Sequence, residues 1–323
     1  MRAYLLRRSL QGLVVIWILA TATFMLFRLM PGDPTAVFVN DGMSPAVRAQ
    51  VLSEFGLDKP LDQQYVLYLA NLAHGNFGLS FFYRQPVWSI IGERLLNSVL
   101  LILPAIAIGT SLGVVAGAWV GWARRGSAIE RIGVLTATII RGTPSFVLGV
   151  LGLMVFSYWA GWLPNAGMRA PGTTGDGFAG TYLNADFVWH AILPLCVLAL
   201  AYFPESLLLM RTAMLETRGE DYLELVKAKG VPERRVLFHA ARNSLLPVVT
   251  YILNTIGFSI AGIVVVETVF SWPGIGRELT LSVSRLDFPI AQATFFVIAV
   301  VVVVLNLIAD LVYAALDPRV VYR

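Results

Sequence analysis

Charged residues are scarce in this chain of 323 residues: 24 Lys and Arg and 20 Asp and Glu together make up 14% of it. Ordinary soluble domains contain about 25%. Hydrophobic residues account for 57% of the chain, and the mean hydropathy is +0.72. Because a soluble fold of this length needs far more polar surface, the composition argues against a soluble enzyme and predicts a membrane protein.

Cysteine and histidine are also rare, which limits thiol and metal chemistry. Cys196 is the single cysteine, so the chain cannot form an intrachain disulfide framework or a thiolate metal cluster. The three histidines, His74, His190 and His239, are spread through the chain without the spacing of metal ligands. We therefore predict no metal site. We also expect no cofactor-binding site and no catalytic residue in this chain.

Six stretches without charged residues are long enough to cross a membrane, which takes about 20 mostly apolar residues. They cover residues 9–27, 95–123, 142–168, 187–204, 243–266 and 288–309. The first stretch resembles a cleaved signal peptide, with basic residues before it and Ala20-Thr21-Ala22 within it. Since its apolar run continues to Met30, we expect a retained helix instead. The sequence predicts an all-α, polytopic membrane protein with six transmembrane helices.

The basic residues indicate the orientation of these helices. If the N-terminus is inside, 15 of the 24 Lys and Arg face the cytoplasm. Only eight face outward, and most of those lie in one long loop, which has little weight in the positive-inside rule. Both termini are therefore expected in the cytoplasm. The net charge of +4 reflects this orientation and gives no evidence for binding to nucleic acid.

Two of the connecting loops are too long to be simple links. The outer loop has helix signals at Ser44, Pro45 and Gly56, followed by a second apolar stretch over 62–73 that Gly75 ends. These signals predict a small cap that acts as a lid or docking surface, and a solvated spacer is the alternative. The predicted organisation is an N-terminal transmembrane helix (1–30), an external helical cap loop (31–94), a core of five transmembrane helices (95–317) with a cytoplasmic loop (211–244), and a cytoplasmic tail (318–323).

The inner loop has the pattern of two short helices. An amphipathic stretch opens at Asp221 and ends at Gly230, and Pro232 lies at the first turn of a second helix that continues to Ala240. The basic side chains of the pair are expected to face outward; they are Lys227, Lys229, Arg234 and Arg235. The alternative is a helix that lies on the surface of anionic lipid.

Glycine and proline mark special positions within the spans. One helix face of the second span carries glycine at every fourth position, which lets another backbone approach closely. These residues are Gly109, Gly113, Gly117 and Gly121. The pattern indicates either a subunit interface or packing within the chain. Pro144 and Pro194 interrupt backbone hydrogen bonding, so each either lines the transport pathway or forms an ordinary kink.

Arg141 is the one basic residue whose position relative to the membrane is ambiguous. If the third span begins near Ile132, Arg141 lies about 14 Å along it and must face the pore or a partner such as Glu205. If residues 142–162 form the span, Arg141 lies at the cytoplasmic interface, which is the placement we expect.

Two other classes of membrane protein are alternatives for this sequence. The segment Gly257-Phe258-Ser259-Ile260-Ala261 resembles the Gly-x-Ser motif of intramembrane serine proteases. Such a nucleophile needs a base within reach, and the last span has no histidine, so proteolysis is not expected. A secondary transporter would show internal repeats and buried titratable groups, and we find no convincing repeat.

The inner loop carries the strongest family resemblance. It reads Asp-Tyr-Leu-Glu-Leu-Val-Lys-Ala-Lys-Gly over 221–230, followed by Arg-Arg-Val at 234–236 and Arg-Asn-Ser-Leu-Leu-Pro at 242–247. This resembles the "EAA" loop of binding-protein-dependent ABC importer permeases, in the dipeptide, oligopeptide and nickel branch. Further segments in the same order resemble that family: 29–34, 56–60, 75–78, 267–276 and 316–319. Val226 and the segment 285–289 depart from its usual pattern.

The resemblance implies a type I ABC importer permease fold and the first, B-type permease of a pair. The expected partners are a paralogous permease, two ATP-binding cassette subunits and an external substrate-binding protein. The complex would import di- or oligopeptides by alternating access across the bacterial or archaeal cytoplasmic membrane, with nickel or another small solute as the alternative. The full sequence has no Gly-x-x-x-x-Gly-Lys-[Ser/Thr] motif, so the partner subunits must bind ATP and Mg.

The resemblance also implies roles for two sets of residues. In the inner loop, Tyr222, Leu225 and Val226 are expected to enter a groove of the ATPase, and Gly230 to permit the turn. The expected ATPase-coupling residues are Asp221, Tyr222, Leu225, Val226, Ala228, Lys229, Gly230, Arg234 and Arg235. The family-like outer turn contains Glu267, Pro273, Gly274 and Gly276.

Overall fold

The structure is a computed structural model that describes residues 2–29, 59–173, 175 and 177–316. These residues form helices and loops, and no strand occurs among them. The helices are α1 (Arg2–Leu29), α2 (Leu61–Ala73), α3 (Val87–Trp122), α4 (Ala128–Gly142), α5 (Ser145–Gly152), α6 (Gly177–Tyr182), α7 (Ala185–Thr217), α8 (Asp221–Ala228), α9 (Glu233–Asn243), α10 (Leu246–Val269), α11 (Ile275–Ser284) and α12 (Phe288–Leu316). A π-helical segment, Leu153–Trp159, continues α5.

Four described helices are long and apolar enough to cross a membrane: α1, α3, α7 and α12. Two helix pairs meet the same criterion only together, with bends of 97° between α4 and the segment from Ser145 to Trp159 and of 47° between α9 and the start of α10. Six spans result if each bent pair counts as one. The prediction of an all-α, polytopic membrane protein is confirmed for the part of the chain described here.

Two predicted spans are longer in the structure than in the sequence analysis. Helix α3 begins at Val87, so the predicted boundary between 94 and 95 lies inside it, and α7 continues to Thr217 instead of ending at 204. A charged residue limits each predicted stretch: Arg94 comes directly before the first and Glu205 directly after the second. Each charge has a partner of opposite sign, since Arg94 Nε lies 3.3 Å from Glu278 Oε2 and Glu205 Oε2 lies 3.2 Å from Arg141 Nε. Both helices therefore include these charges and extend beyond the uncharged stretches.

The predicted third span is not one straight helix. Helix α4 ends at Gly142, Thr143 is extended, and Pro144 is the N-cap of α5 with φ −58° and ψ 141°. Since proline fixes φ and lacks an N–H donor, it fits this first position of a new helix. The sequence suggested one span that begins near Ile132 or at 142. The structure instead has two helical segments, α4 and α5, joined at a sharp bend.

The chain forms two compact units, Met1–Asn97 with Gly274–Arg323, and Ser98–Pro273. In the first unit, α1 packs against α12, and Arg8 Nη2 lies 3.1 Å from Asp310 Oδ2. The buried Asp287 carboxylate accepts hydrogen bonds from Ser80 Oγ at 2.5 Å and from Phe82 N at 3.0 Å. This carboxylate fixes the loop before α3 to the start of α12.

In the second unit, the four regularly spaced glycines of α3 face α7. A Cβ atom added at Gly109 would lie 2.2 Å from the carbonyl oxygen of Ala199, and one at Gly117 would lie 2.4 Å from that of Leu207. Added Cβ atoms at Gly113 and Gly121 would also collide with α7. Packing of two helices within the chain therefore explains this glycine pattern.

Some predictions lie outside the described residues. These are the first cap helix, with Ser44, Pro45 and Gly56, and the cytoplasmic tail 318–323. The second cap helix is α2, which ends at Ala73 and is followed by Gly75 with φ +70°. The prediction of this helix is confirmed.

Candidate functional site

The inner loop forms the predicted pair of short helices, α8 and α9. Asp221 and Glu224 lie in the first turn of α8, where negative charge stabilises the helix N-terminus. Gly230 follows the end of α8 with φ +73°, a conformation that other residues rarely adopt. Pro232 is the N-cap residue of α9. Local sequence therefore specifies both helices and the turn between them.

One face of this helix pair packs against the long helices of the second unit, to which the pair belongs. Leu223 of α8 and Val236 and Ala240 of α9 are almost fully buried. They pack in one cluster with residues of α3, α7 and α10, namely Ala118, Met210, Met214 and Val248. The helix pair is therefore attached to three long helices.

The outer face of the pair differs in part from the expectation. Leu225 is 63% exposed, but Tyr222 and Val226 are half-buried and pack against the apolar cluster. Tyr222 and Val226 flank the buried Leu223 on the inner side of α8, so only part of each side chain is available to a partner, and their entry into an ATPase groove stays a prediction. A second large apolar side chain, Phe238 on α9, is 65% exposed and was not predicted from the sequence.

Charged and small residues cover the rest of the outer face. Asp221, Ala228, Lys229 and Gly230 are exposed around the end of α8 and the turn. Arg234 and Arg235 are exposed on the first turn of α9. The pair therefore presents the apolar side chains of Leu225 and Phe238 among charged side chains of both signs.

Trp122, the last residue of α3, contacts the segments at both ends of α8. Its indole Nε1 donates a hydrogen bond to Glu233 Oε1 at 3.1 Å. The guanidinium of Arg218 and the ammonium of Lys227 lie 5.2 and 5.9 Å from the ring centroid. Cations at this distance from an indole face are attracted to it. Trp122 therefore joins the helix pair to α3.

Arg218 makes the second connection to α3. Its Nη1 donates hydrogen bonds to the carbonyl oxygens of Trp122 and Ala123, each at 2.9 Å. The last carbonyls of a helix have no partner within the helix and carry partial negative charge. Arg218 therefore caps α3 from the end of α7, immediately before α8.

Arg141 lies in the last turn of α4, just before the bend. Its Nε is 3.2 Å from Glu205 Oε2 of α7. Arg141 is 60% exposed, and Glu205 is half-buried. The structure thus brings together the two charges that the sequence analysis considered as partners, at a helix break. Pro194, in contrast, is buried inside the continuous helix α7.

The outer-turn residues belong to two units. In the unit Ser98–Pro273, the buried side-chain carboxylate of Glu267 accepts a hydrogen bond from Ser98 Oγ. The backbone carbonyl oxygen of Glu267 accepts a hydrogen bond from Trp272 N at 2.8 Å. Pro273 ends that unit. In the other unit, Gly274 is the N-cap residue of α11, and Gly276 is buried in its first turn.

Ser259 has no catalytic arrangement in the described structure. Its hydroxyl donates a hydrogen bond to the Thr255 carbonyl oxygen of its own helix at 2.5 Å. His190 instead contacts Asp186 at the start of α7, and His239 is exposed on α9. This arrangement gives no support to the protease alternative.

Comparison with known proteins identifies the family. Residues 109–322 match the family "Binding-protein-dependent transport system inner membrane component", and residues 1–102 match its N-terminal counterpart. The chain is 36% identical over 324 residues, covering 100% of both chains, to the oligopeptide transport system permease protein AppB of Bacillus subtilis. It is 37% identical over 312 residues, covering 92% of both, to the di/tripeptide transport system permease protein DppB of Pseudomonas aeruginosa.

A third relative is the glutathione transport system permease protein GsiC of Salmonella typhi, with 33% identity over 325 residues and 99% of both chains covered. These matches confirm the resemblance inferred from the inner loop. They also agree with the several apolar helices of the structure. The chain belongs to the binding-protein-dependent ABC importer permeases, a family of multi-pass proteins of the cytoplasmic membrane that work with ATPase and substrate-binding proteins.

Proposed function

We propose that this chain is one of two paralogous permease subunits of an ATP-driven importer of di- or oligopeptides. The relatives reported above are named for oligopeptides, di/tripeptides and glutathione. All three names describe peptides, which favours a peptide over nickel or another small solute. The pore subunit itself carries out no chemistry on the solute.

Two partner subunits supply the energy in this proposal. The sequence has no phosphate-binding motif of the Gly-x-x-x-x-Gly-Lys-[Ser/Thr] type, so ATP and Mg belong to the ATPases. The observation that carries the proposed coupling role is the fixed helix pair α8–α9 with Leu225 exposed on its outer face. An exposed apolar side chain on a rigid short helix suits a groove in a partner protein.

The helix pair would transmit movement of the ATPase along two routes. The apolar cluster around Leu223 connects it to α7 and α10, and the contacts of Arg218 and Trp122 connect it to α3. Since packed cores and helices shift as units, a displacement of α8 moves the ends of these spans together. This is the physical basis that we propose for alternating access.

The proposed orientation follows from the basic residues. Both termini and the helix pair lie in the cytoplasm, and the connection between α1 and α3 lies outside, where it is available to the substrate-binding protein. This placement puts α8 and α9 on the side of the membrane where ATP is present.

Solute uptake tests the proposed substrate class. Cells that lack this chain would be complemented with the wild-type chain or with an empty vector, and uptake of a radiolabelled dipeptide, a radiolabelled tetrapeptide and ⁶³Ni²⁺ would be measured. We expect the chain to restore peptide uptake and to leave nickel uptake unchanged. Restoration of nickel uptake alone would contradict the proposal.

A further inference from the structure

The first unit contains a cavity of about 350 Å³ between the end of α1, helix α2, the loop after α2 and the start of α12. Its apolar lining includes Phe27, Leu67 and Phe288, and its polar lining includes Asn71, Asn76 and Gln292. This volume is within the range of small-ligand sites. The mixture of apolar and polar groups fits an amphiphilic ligand.

The charge of the cavity has one sign. Arg28 and Lys59 line it, and no carboxylate is among its described lining residues. Arg28 is half-buried, and its guanidinium lies 5.5 Å from the centroid of the Phe24 ring. No ion pair of Arg28 occurs within the described residues. The cavity therefore favours an anionic group.

Aromatic packing between α1 and α2, next to the cavity, holds Arg28 in place. The buried Phe24 contacts the rings of Tyr65 and Tyr68 at 5.2 and 5.5 Å between centroids. Their hydroxyl groups form hydrogen bonds with Thr21 and Thr23 of α1 at 2.6 and 3.2 Å. Burial raises the pKa of the Tyr68 phenol, so this hydroxyl stays neutral. The position of Arg28 over Phe24 is thus set by contacts between α1 and α2.

The helix face below Arg28 suits a hydrocarbon chain. Met25, Ile18 and Val14 lie on one face of α1 at helical spacing, beginning one turn before Arg28, and all three are exposed. The distance along α1 from Arg28 to Ile18 is about 15 Å, close to the thickness of one leaflet, since the whole hydrocarbon core measures about 30 Å. Arg28 therefore lies near headgroup level at one end of a span whose apolar face contacts acyl chains.

We propose that this cavity binds the headgroup of an anionic phospholipid, with phosphate at Arg28 and Lys59 and an acyl chain along the exposed face of α1. Basic pockets beside membrane helices hold anionic headgroups in this way. A free anion would use the cations but not the apolar face of α1. A zwitterionic lipid would place its own cation next to Arg28 and Lys59. The lipid would hold α1, α2 and the start of α12 together within the first unit.

Lipid titration of the full-length chain tests the proposal. The chain would be purified in detergent, and dissociation constants for dioleoyl phosphatidylglycerol and dioleoyl phosphatidylcholine would be measured by native mass spectrometry. We expect phosphatidylglycerol to bind at least tenfold more tightly. Each cation near an anionic lipid contributes about fivefold to affinity, so Arg28→Gln combined with Lys59→Gln should weaken phosphatidylglycerol binding about 30-fold.

The matched control is Arg7→Gln, which removes an exposed cation at the other end of α1. It should change the affinity less than twofold. Lys59→Gln alone alters an exposed side chain and should cost about fivefold, so the test remains decisive if the double variant does not fold. Wild-type affinity in Lys59→Gln or in a folded double variant would overturn the proposal.

Two soluble competitors distinguish the remaining occupants. Glycerol 3-phosphate has the anionic headgroup chemistry without acyl chains, and dialanine represents a transported peptide. Neither should displace bound phosphatidylglycerol at millimolar concentration. Displacement by glycerol 3-phosphate would show that the cavity binds free anions, and displacement by dialanine would show that it binds peptides. Either displacement overturns the lipid assignment. Equal affinity for phosphatidylcholine and phosphatidylglycerol would also overturn it. Failure of peptide uptake would leave this test unaffected, since it measures lipid binding alone.

Discussion

Truncation of Leu225 to alanine should weaken association of the permease with its ATPase partner. Full burial of a leucine side chain contributes about 1.5 to 3 kcal/mol. Because 63% of Leu225 is exposed in this chain, covering it in a complex would contribute about 1 to 2 kcal/mol. The predicted loss of affinity is therefore about five- to thirtyfold. Leu225 is not part of the buried cluster that holds α8, so the fold should be unaffected.

The assay is binding of the purified ATPase to immobilised permease pairs in detergent, with folding checked by size-exclusion chromatography. Leu183→Ala is the matched control, because Leu183 is 73% exposed and lies between α6 and α7, away from the helix pair. It should leave the affinity unchanged. Equal affinities for wild-type and Leu225→Ala permeases, or equal losses in both variants, would refute the docking role of the helix pair.

Three further variants test the connections within the second unit. Arg218→Gln removes the charged donor at the end of α3, so less peptide should be transported for each ATP hydrolysed, while ATPase binding persists; an unchanged transport-to-hydrolysis ratio would count against this route. Gly230→Ala places a side chain at φ +73°, which costs about 1 to 2 kcal/mol, so it should lower the melting temperature of the protein in detergent. The control is Gly219→Ala, whose added Cβ makes only an ordinary contact at 3.6 Å and should leave the melting temperature unchanged. Gly117→Val should prevent accumulation of folded protein, because a Cβ at this position would lie 2.4 Å from a carbonyl oxygen of α7. Gly262→Val is the control and should be tolerated, because no atom lies within 4 Å of its added Cβ. Equal yields of the two valine variants would argue against close packing of α3 on α7.

The helix pair shows what local sequence can predict. Gly230 and Pro232 specify where α8 ends and α9 begins through their own backbone preferences. Both helices could therefore be located without knowledge of the rest of the chain. The inward and outward faces were harder to assign, because Tyr222 and Val226 are covered by side chains from distant helices. An apolar residue on a short helix suits burial in the chain or in a partner equally well.

Contacts between distant residues were not predictable from the sequence. The hydrogen bond from Trp122 to Glu233 joins residues 111 positions apart, and neither belongs to a motif that indicates the other. The bend after Arg141 was missed for a related reason. A search for uncharged stretches detects total length and apolar character, but Pro144 can begin a new helix or kink an existing one. Only the packed structure distinguishes these two cases.

Peptide uptake into proteoliposomes tests the central claim most directly. The vesicles would contain this chain, its paralogous permease and both ATPases, with the substrate-binding protein and a radiolabelled dipeptide on the binding-protein side. Uptake should require ATP on the ATPase side and persist when a protonophore collapses the proton gradient. Uptake without ATP that disappears with the proton gradient would contradict an ABC importer and indicate a secondary transporter.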